Sequence, residues 1–212
     1  MLYRIVKRTI DVILSTVLWI LSSPLMLLIS ILIKLFDGGE IFVGTPVRYG
    51  LEGKHFFMYK FRTMIPNAHD LIMGDSGKRD ELLGNHKLNG DSRVTRIGRV
   101  LRNSDLDELP QLINVLLGQM SMVGPRPFYS EEIEHHLKEY PKDEKYFKNI
   151  FKVRPGLTGI WQVSGRNEIP FRERLRIESE YALNPSIIKD IYILLQAPWV
   201  VISRKGVKDK NS

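Results

Sequence analysis

The segment VILSTVLWILSSPLMLLISILI, Val12 to Ile33, contains no charged side chain and is the strongest structural signal in the sequence. Its 22 residues would extend about 33 Å as an α-helix, close to the thickness of the hydrocarbon core of a bilayer. Arg4, Lys7 and Arg8 precede it, and Lys34 follows it. The run is too long for the core of an ordinary signal peptide, and no A-x-A-like cleavage site closes it. We therefore predict a membrane helix rather than a cleaved leader or a buried helix of a soluble core.

Ser22, Ser23 and Pro24 lie in the middle of this run. Proline has no backbone N–H and disfavours the α conformation of the residue before it, and nearby serine hydroxyls can bond a carbonyl left without a partner. We predict a bend at Ser23 and Pro24, in a helix that either spans the bilayer with a mild kink or enters and leaves the same leaflet. Basic residues on both flanks favour two cytoplasmic ends. Asp11 is expected to lie at the lipid headgroups or to pair with Lys7 or Arg8.

The composition defines the class of the remaining chain. The 212 residues are 43% hydrophobic and 26% charged, which supports a packed core and excludes global disorder. Cysteine is absent, which excludes disulfides, thiolate metal sites and a cysteine nucleophile. The net charge is +7, but no zinc-finger spacing, aromatic RNA-binding motif or basic heptad accompanies it. We assign this basic excess to a membrane surface and not to nucleic acid.

Local patterns predict an α/β protein that is mostly helical with a small β-hairpin or sheet. Residues 1–36 form the membrane helix and residues 37–212 a single globular domain. Two short strands and a hairpin are expected within 41–62, and a loop with a short helix within 66–90. Helices are expected at 94–102, 105–117, 129–150 with a break at Pro141, and 171–184. A final helix over 187–207 either packs on the core or lies amphipathically in the membrane interface, with Tyr192 and Trp199 at headgroup depth.

Two adjacent acids, Asp107 and Glu108, are the first candidates for chemistry. Ser104 and Asp107 have the spacing of a capping box, in which the acid would only stabilise a helix start. Pro110 would then be the sixth residue of that helix, where its missing N–H matters. An irregular helix start is therefore expected, which could direct an acid toward a site.

Arginines surround these acids in the sequence. Those at 93, 96, 99 and 102 recur every three residues, so they spread over a wide arc of a helix, and Arg102 is the one expected beside Asp107. Arg126 lies between Pro125 and Pro127, which restrict its backbone, and its planar fork can bind two phosphate oxygens at once. Acids amid arginines, tethered to a membrane, indicate phosphoryl chemistry with a divalent cation.

Four runs carry a family resemblance in the family's order: Lys60-Phe61-Arg62-Thr63-Met64, Asp107-Glu108-Leu109-Pro110-Gln111, Val123-Gly124-Pro125-Arg126-Pro127 and Trp161-Gln162-Val163-Ser164-Gly165-Arg166. With them the chain resembles the bacterial sugar transferases, the polyprenyl-phosphate hexose-1-phosphate transferases or small monotopic phosphoglycosyl transferases. The resemblance extends from Arg4 to about Gly206. It implies a re-entrant helix broken at Ser23-Pro24, a catalytic domain on the cytoplasmic face of the bacterial inner membrane, and a catalytic core without the extra N-terminal spans of larger members.

The resemblance also implies the roles of residues. Asp107 would attack a UDP-sugar, release UMP and carry a phospho-sugar until undecaprenyl phosphate accepts it, in a first step of surface polysaccharide synthesis. Asp107 and Glu108 would hold Mg²⁺, for which Mn²⁺ could substitute, or Glu108 would handle a proton. Phosphate and nucleotide contacts would come from Lys60, Arg62, Arg102, Arg126 and Arg166. Membrane lipid is an implied partner, and a homo-oligomer is left open.

Some positions depart from the family pattern, among them Gln119 and Glu178. The form of the Trp161–Arg166 run favours transfer of hexoses from UDP-galactose or UDP-glucose over N-acetylated sugars. An inactive membrane-anchored scaffold or binding protein is the alternative function. A glycosidase is disfavoured, because adjacent residues do not easily flank a sugar at the carboxyl separations of roughly 5–9 Å that glycoside hydrolysis needs.

Overall fold

The computed structural model describes residues 2–44, 47–66, 68 and 91–203, so most of the loop expected at 66–90 and the chain beyond Ser203 lie outside the described residues. The long N-terminal helix is α1 (Leu2–Leu32), and it ends in a wider helical turn, Ile33–Asp37. The other helices are α2 (Arg96–Asn103), α3 (Gln111–Leu116), α4 (Ser130–Glu139), α5 (Glu144–Ile150), α6 (Ile160–Ser164), α7 (Phe171–Leu183) and α8 (Ile187–Ser203). Short strands are β1 (Phe42–Gly44), β2 (Arg48–Tyr49), β3 (His55–Phe56), β4 (Tyr59–Phe61), β5 (Ser121–Val123) and β6 (Gly156–Thr158). The prediction of a mostly helical protein with small sheets is confirmed.

The hairpin within 41–62 differs in detail from the prediction of two strands. Strand β1 pairs antiparallel with β4, with Val43 opposite Lys60, and β2 pairs antiparallel with β3 inside that outer ladder. The side chain of Asn114 forms hydrogen bonds with the carbonyl of Phe57 and the N–H of Tyr59, so these backbone groups do not extend the β-ladder. Further along the chain, β5 and β6 pair in parallel.

Helix α1 continues through Pro24. The Ser23 hydroxyl donates to the carbonyl of Ile20 at 2.8 Å, which is the carbonyl that a residue with an N–H at position 24 would have bonded. This confirms the expectation that a serine compensates for the proline. Within the described chain, α1 with its terminal turn is the one helix long and apolar enough to cross a membrane. The bend at Ser23-Pro24 and the re-entrant course stay predictions.

The N-terminal half of α1 packs on the globular domain through polar contacts. Asp11 pairs with neither Lys7 nor Arg8: it is buried, and its Oδ1 accepts from the Ser121 hydroxyl and the Met122 N–H at 3.0 and 2.9 Å. Lys7 instead bonds Asp190 of α8 at 2.8 Å. The expected pairing of Asp11 with Lys7 or Arg8 was wrong because a sequence window shows only the neighbours along the chain, and the partners of Asp11 are about 110 residues away.

Helix α8 packs on the core with one face, and its place in the membrane interface stays a prediction. Ile193 and Val200 are buried in a cluster with Met120, Met122 and Val163, as expected of a helix on the core. Its other face is apolar and exposed, with Ile188, Leu195, Trp199 and Ile202. An exposed apolar face on a helix that is otherwise packed is typical of a protein or membrane interaction surface.

Candidate active site

Asp107 and Glu108 lie on a single 3₁₀ turn, Leu106–Glu108, between α2 and α3. The capping-box interpretation is wrong, because the Ser104 hydroxyl donates back to the carbonyls of Val100 and Leu101 at the end of α2. The irregular start expected from Pro110 is confirmed: α3 begins only after the proline. The chain therefore presents two acids on a tight turn and not on a regular helix face.

This turn is attached to the apolar helix α1. Leu106 and Leu109, which flank the acids, pack against a cluster formed by Met26, Ile29 and Ile33 of the N-terminal element with Phe61 and Leu101. At the other end of α3, Arg8 of α1 donates to the carbonyls of Val115 and Leu116 at 2.6 and 2.8 Å. The helix dipole also stabilises a positive charge at this C-terminal end. The apolar helix thus contacts the acidic turn and the helix that follows it.

Lys60 joins the two acids. Its Nζ lies 2.5 Å from Glu108 Oε1 and 3.5 Å from Asp107 Oδ2. Burial alone would raise the pKa of Glu108, but the positive charges of Lys60, Arg126 and Arg48 outweigh it and bring that pKa to about 2. For Asp107 burial prevails and raises the pKa, against the opposing charges of Lys60 and Arg102 and together with the negative charge of Glu108. Glu108 therefore forms the stronger ion pair with Lys60, and Asp107 is the more weakly paired acid.

Asn114 holds the strand that carries Lys60. Its fully buried amide accepts from the N–H of Tyr59 at 3.0 Å and donates to Phe57 O at 2.7 Å. The same amide donates to Oε1 of Gln119 at 2.7 Å. Gln119, one of the departures from the family pattern, therefore supports the Asn114 amide that positions β4 and Lys60.

Arg126 is positioned from two sides. Its backbone N–H donates to the buried Glu178 at 2.8 Å, and Arg48 donates to the carbonyl of Pro127 at 3.1 Å. The Arg126 guanidinium lies 5.5 Å from the Trp161 ring centroid and acts electrostatically on Glu108. Burial raises the pKa of Glu178, whereas Arg174 and the bond from Arg126 favour its ionised form.

Of the other predicted arginines, the structure places two near the acidic turn and one away from it. Arg102 donates to the Thr63 hydroxyl at 2.9 Å and acts electrostatically on Asp107. Arg166 bonds Asp105, two residues before Asp107, at 3.0 Å. Both Asp105 and Arg166 have positive φ, at 56° and 50°, a strained conformation that often accompanies functional sites. Arg62 is not brought to the acids, because its guanidinium donates to the carbonyl of Gly38 beyond α1.

Sequence reasoning did not find Arg48 or Asn114 and treated Glu178 only as a departure. Arg48 is a lone basic residue in a strand, Asn114 is a polar residue in an apolar helix, and their partners are 79 and 55 to 57 residues away in the chain. Nothing in a local window indicates such contacts. One signal was present: an uncharged amide or a lone charge within an apolar segment needs a buried partner somewhere.

The acids suit a divalent cation bound together with substrate. In the described part of the chain, no group of three or more His, Cys, Asp or Glu side chains gathers at one place. Magnesium, however, is commonly held by one or two carboxylates with water and substrate phosphates supplying the other oxygens. Asp107 and Glu108, adjacent and both within reach of Lys60, fit that pattern.

The structure thus brings a pair of acids on one turn close to Lys60 of β4 and within electrostatic reach of Arg102 and Arg126, next to a long apolar helix. The family model described as "Bacterial sugar transferase" matches residues 2–204, and the chain belongs to this family. It is 42% identical over 96% of its length to an uncharacterized sugar transferase of Haemophilus influenzae and 41% identical over 96% to an undecaprenyl-phosphate galactose phosphotransferase of Salmonella typhimurium. It is 39% identical over 93% to the exopolysaccharide production protein ExoY of Rhizobium meliloti. The chain spans 42% of each of the first two relatives and 86% of ExoY.

Proposed function

We propose that this protein is a phosphoglycosyl transferase that moves a hexose 1-phosphate from a UDP-sugar to undecaprenyl phosphate, giving undecaprenyl-diphospho-sugar and UMP. Such a product would begin synthesis of a surface polysaccharide such as exopolysaccharide, capsule or O-antigen. The name of the Salmonella relative, an undecaprenyl-phosphate galactose phosphotransferase, supports this chemistry, and the name of the Rhizobium relative, an exopolysaccharide production protein, supports the biosynthetic role. The observation that carries the proposal is the acidic turn, in which Asp107 is buried and half-buried Glu108 bonds Lys60 at 2.5 Å, while Lys60 stays 3.5 Å from Asp107.

The proposed reaction has two displacements at one phosphorus. A carboxylate oxygen of Asp107 attacks the β-phosphorus, the bond from that phosphorus to the bridging oxygen breaks, and UMP leaves with the electron pair. An oxygen of undecaprenyl phosphate then attacks the same phosphorus, and the bond to Asp107 breaks to restore the carboxylate. Covalent catalysis divides one transfer between two anions into two easier steps.

The surrounding residues have distinct tasks in this proposal. Lys60, Arg102 and Arg126 offset the negative charge that gathers when a diphosphate meets a carboxylate. Glu108 keeps Lys60 in place, and Glu178 and Arg48 keep the Arg126 segment in place. Asp107 and Glu108 would hold Mg²⁺ or Mn²⁺ with the substrate diphosphate, and a bound cation would stabilise charge on the phosphate oxygens.

The contacts of α1 support a re-entrant helix with both ends on one face. Arg8 bonds carbonyls of α3, and Ile33, which is 25 residues later, is buried with Phe61 and Leu101 of the same globular domain. Along a straight helix these points would be about 37 Å apart, more than the hydrocarbon thickness of about 30 Å. A charged domain cannot follow a spanning helix through hydrocarbon. We therefore propose that α1 turns within one leaflet at Ser23-Pro24, with the domain on the cytoplasmic face.

The proposed function is tested by a UMP-release assay. Purified protein, undecaprenyl phosphate and Mg²⁺ are incubated separately with UDP-galactose, UDP-glucose and their N-acetylated analogues. We expect UMP and lipid-linked sugar with at least one of the two hexose donors, loss of both products in EDTA, and recovery with Mg²⁺ or Mn²⁺. Absence of UMP with every donor would favour the inactive scaffold.

The topology is tested by cysteine labelling, which is straightforward because the chain has no cysteine. Single cysteines at Arg4 and Glu40, exposed positions on either side of the apolar run, are treated with a membrane-impermeant maleimide in intact spheroplasts and in inverted vesicles. Both should react only in inverted vesicles, as should a cysteine at Glu144 in the globular domain, the control. Labelling of the Arg4 position in intact spheroplasts contradicts the re-entrant course.

A further inference from the structure

A small cavity adjoins the acidic turn, and its walls carry polar groups without partners. Among the described residues, those that line it include Arg48, Glu108, Gln111, Arg126 and Gln162. Three of these side chains hold a buried atom that forms no hydrogen bond: Nε of Arg48, Nε2 of Gln111 and Oε1 of Gln162. Buried polar atoms in native proteins are nearly always paired, so unpaired atoms around one cavity indicate that a water molecule or a substrate group binds there.

The walls of this cavity are buried and closely packed. Gln111 is 2% exposed and Gln162 is 9% exposed. Gln162 lies in α6, which begins after Gly159, and a side chain at Gly159 would stand 2.0 Å from the carbonyl oxygen of Gly124. Backbone therefore packs directly on backbone between the helix of Gln162 and the segment that leads into Arg126. Gln162 and Arg126 are consequently held as one unit.

The unpaired atoms specify the chemistry of the group they would bind. Nε of Arg48 and Nε2 of Gln111 are donors and need an acceptor, whereas Oε1 of Gln162 is an acceptor and needs a donor. An ionised phosphate oxygen can only accept, so it would leave Gln162 unpaired. A hydroxyl accepts and donates at once, and it satisfies both kinds of atom.

A UDP-sugar carries hydroxyls at two places, on the transferred sugar and on the ribose, and the position of the cavity distinguishes them. Glu108, which lines the cavity, is the chain neighbour of Asp107. The transferred sugar is joined through one oxygen to the phosphorus that Asp107 would attack, whereas ribose and uracil lie beyond a second phosphate. A cavity beside the acidic turn is therefore suited to the sugar.

We propose that this cavity receives a hydroxyl of the donor hexose, with Gln111 donating to it and Gln162 accepting from it. The inference rests on the proposed function and adds two sugar-binding residues to it. Both glutamines lie outside the set of charged residues that sequence reasoning selected. Recognition of this kind discriminates strongly, because a substrate without the hydroxyl leaves the buried amides unpaired.

The test compares enzyme variants with substrate analogues. Gln111→Met and Gln162→Met, which keep side-chain length but remove hydrogen bonding, are assayed for UMP release with the preferred UDP-hexose and with its 2-, 3-, 4- and 6-deoxy analogues. Each variant should lose about tenfold or more in kcat/KM on the parent sugar. In the wild type, one deoxy analogue should lose a similar factor, and on that analogue the variants should equal the wild type. Gln196→Met on α8, which does not line the cavity, is the matched control.

The outcomes separate this inference from the proposed function. Two results overturn the assignment of the cavity while leaving the transferase activity in place. In the first, the glutamine variants lose the same factor in kcat/KM on every deoxy analogue. In the second, the wild type turns over all four deoxy analogues as well as the parent sugar. If a variant does not fold, the deoxy series on the wild type decides alone. A wild type that releases no UMP from any UDP-sugar overturns the proposed function and this inference together.

Discussion

Asp107→Asn is expected to abolish UMP release and to remove any covalent phospho-sugar from the protein. The substitution keeps the shape of the side chain but replaces the nucleophilic carboxylate by an amide, so the loss in kcat should exceed about 1,000-fold. The measurement is UMP release together with intact-protein mass spectrometry after incubation with the UDP-sugar alone. Glu144→Gln, an exposed acid in a surface ion pair, is the control and should behave as the wild type.

If the Asp107→Asn protein still carries a covalent phospho-sugar, the nucleophile is another residue. Retention of rapid transfer would point to direct displacement without a protein-bound species. The structure adds a second readout for the same residue, because burial raises the pKa of Asp107. Since only the ionised carboxylate attacks, kcat/KM should fall with decreasing pH around a midpoint above the ordinary aspartate pKa of about 3.9. Glu108, with a pKa of about 2, stays ionised across that range.

Glu178→Gln is expected to cause the largest loss of stability. Glu178 is completely buried, and its Oε2 accepts from Arg174 at 3.3 Å. Arg174 is itself buried, with its guanidinium 4.3 and 4.4 Å from the ring centroids of Phe128 and Trp161. Loss of the carboxylate charge leaves this cation without its counter-ion in an apolar setting, which typically costs about 3 kcal/mol or more. For a chain of this size, that corresponds to a Tm lower by about 10 °C.

The measurement is thermal unfolding of detergent-solubilised protein. Glu173→Gln lies on the same helix and removes an exposed ion pair with Arg176, so its Tm should change by little. The glutamine at 178 can still accept from the N–H of Arg126, so the folded Glu178→Gln protein should retain more activity than Asp107→Asn. A Tm equal to that of the wild type would show that the Arg174–Glu178 pair adds no net stability.

The acidic turn illustrates how far local patterns reach. The adjacent acids and the disruptive Pro110 were visible in the sequence, and the turn is irregular as expected. The capping-box interpretation failed because the Ser104 hydroxyl can bond the helix on either side of it. It donates to carbonyls of the preceding helix instead of accepting from an N–H of the turn that follows. Spacing alone does not distinguish them, since a hydroxyl donates or accepts with equal ease.

Local patterns were enough to predict the apolar helix and the helical character of the chain and to select the adjacent acids and Arg126 as candidate site residues, because periodicity, charge and proline act over a few residues. The pairs of groups that meet could be read only from the folded chain: Asp11 with Ser121, Asn114 with the strand of Lys60, Glu178 with Arg126, and Gln111 with Gln162 around one cavity. A buried polar group must bond whichever partner packing brings to it, and packing depends on the whole chain.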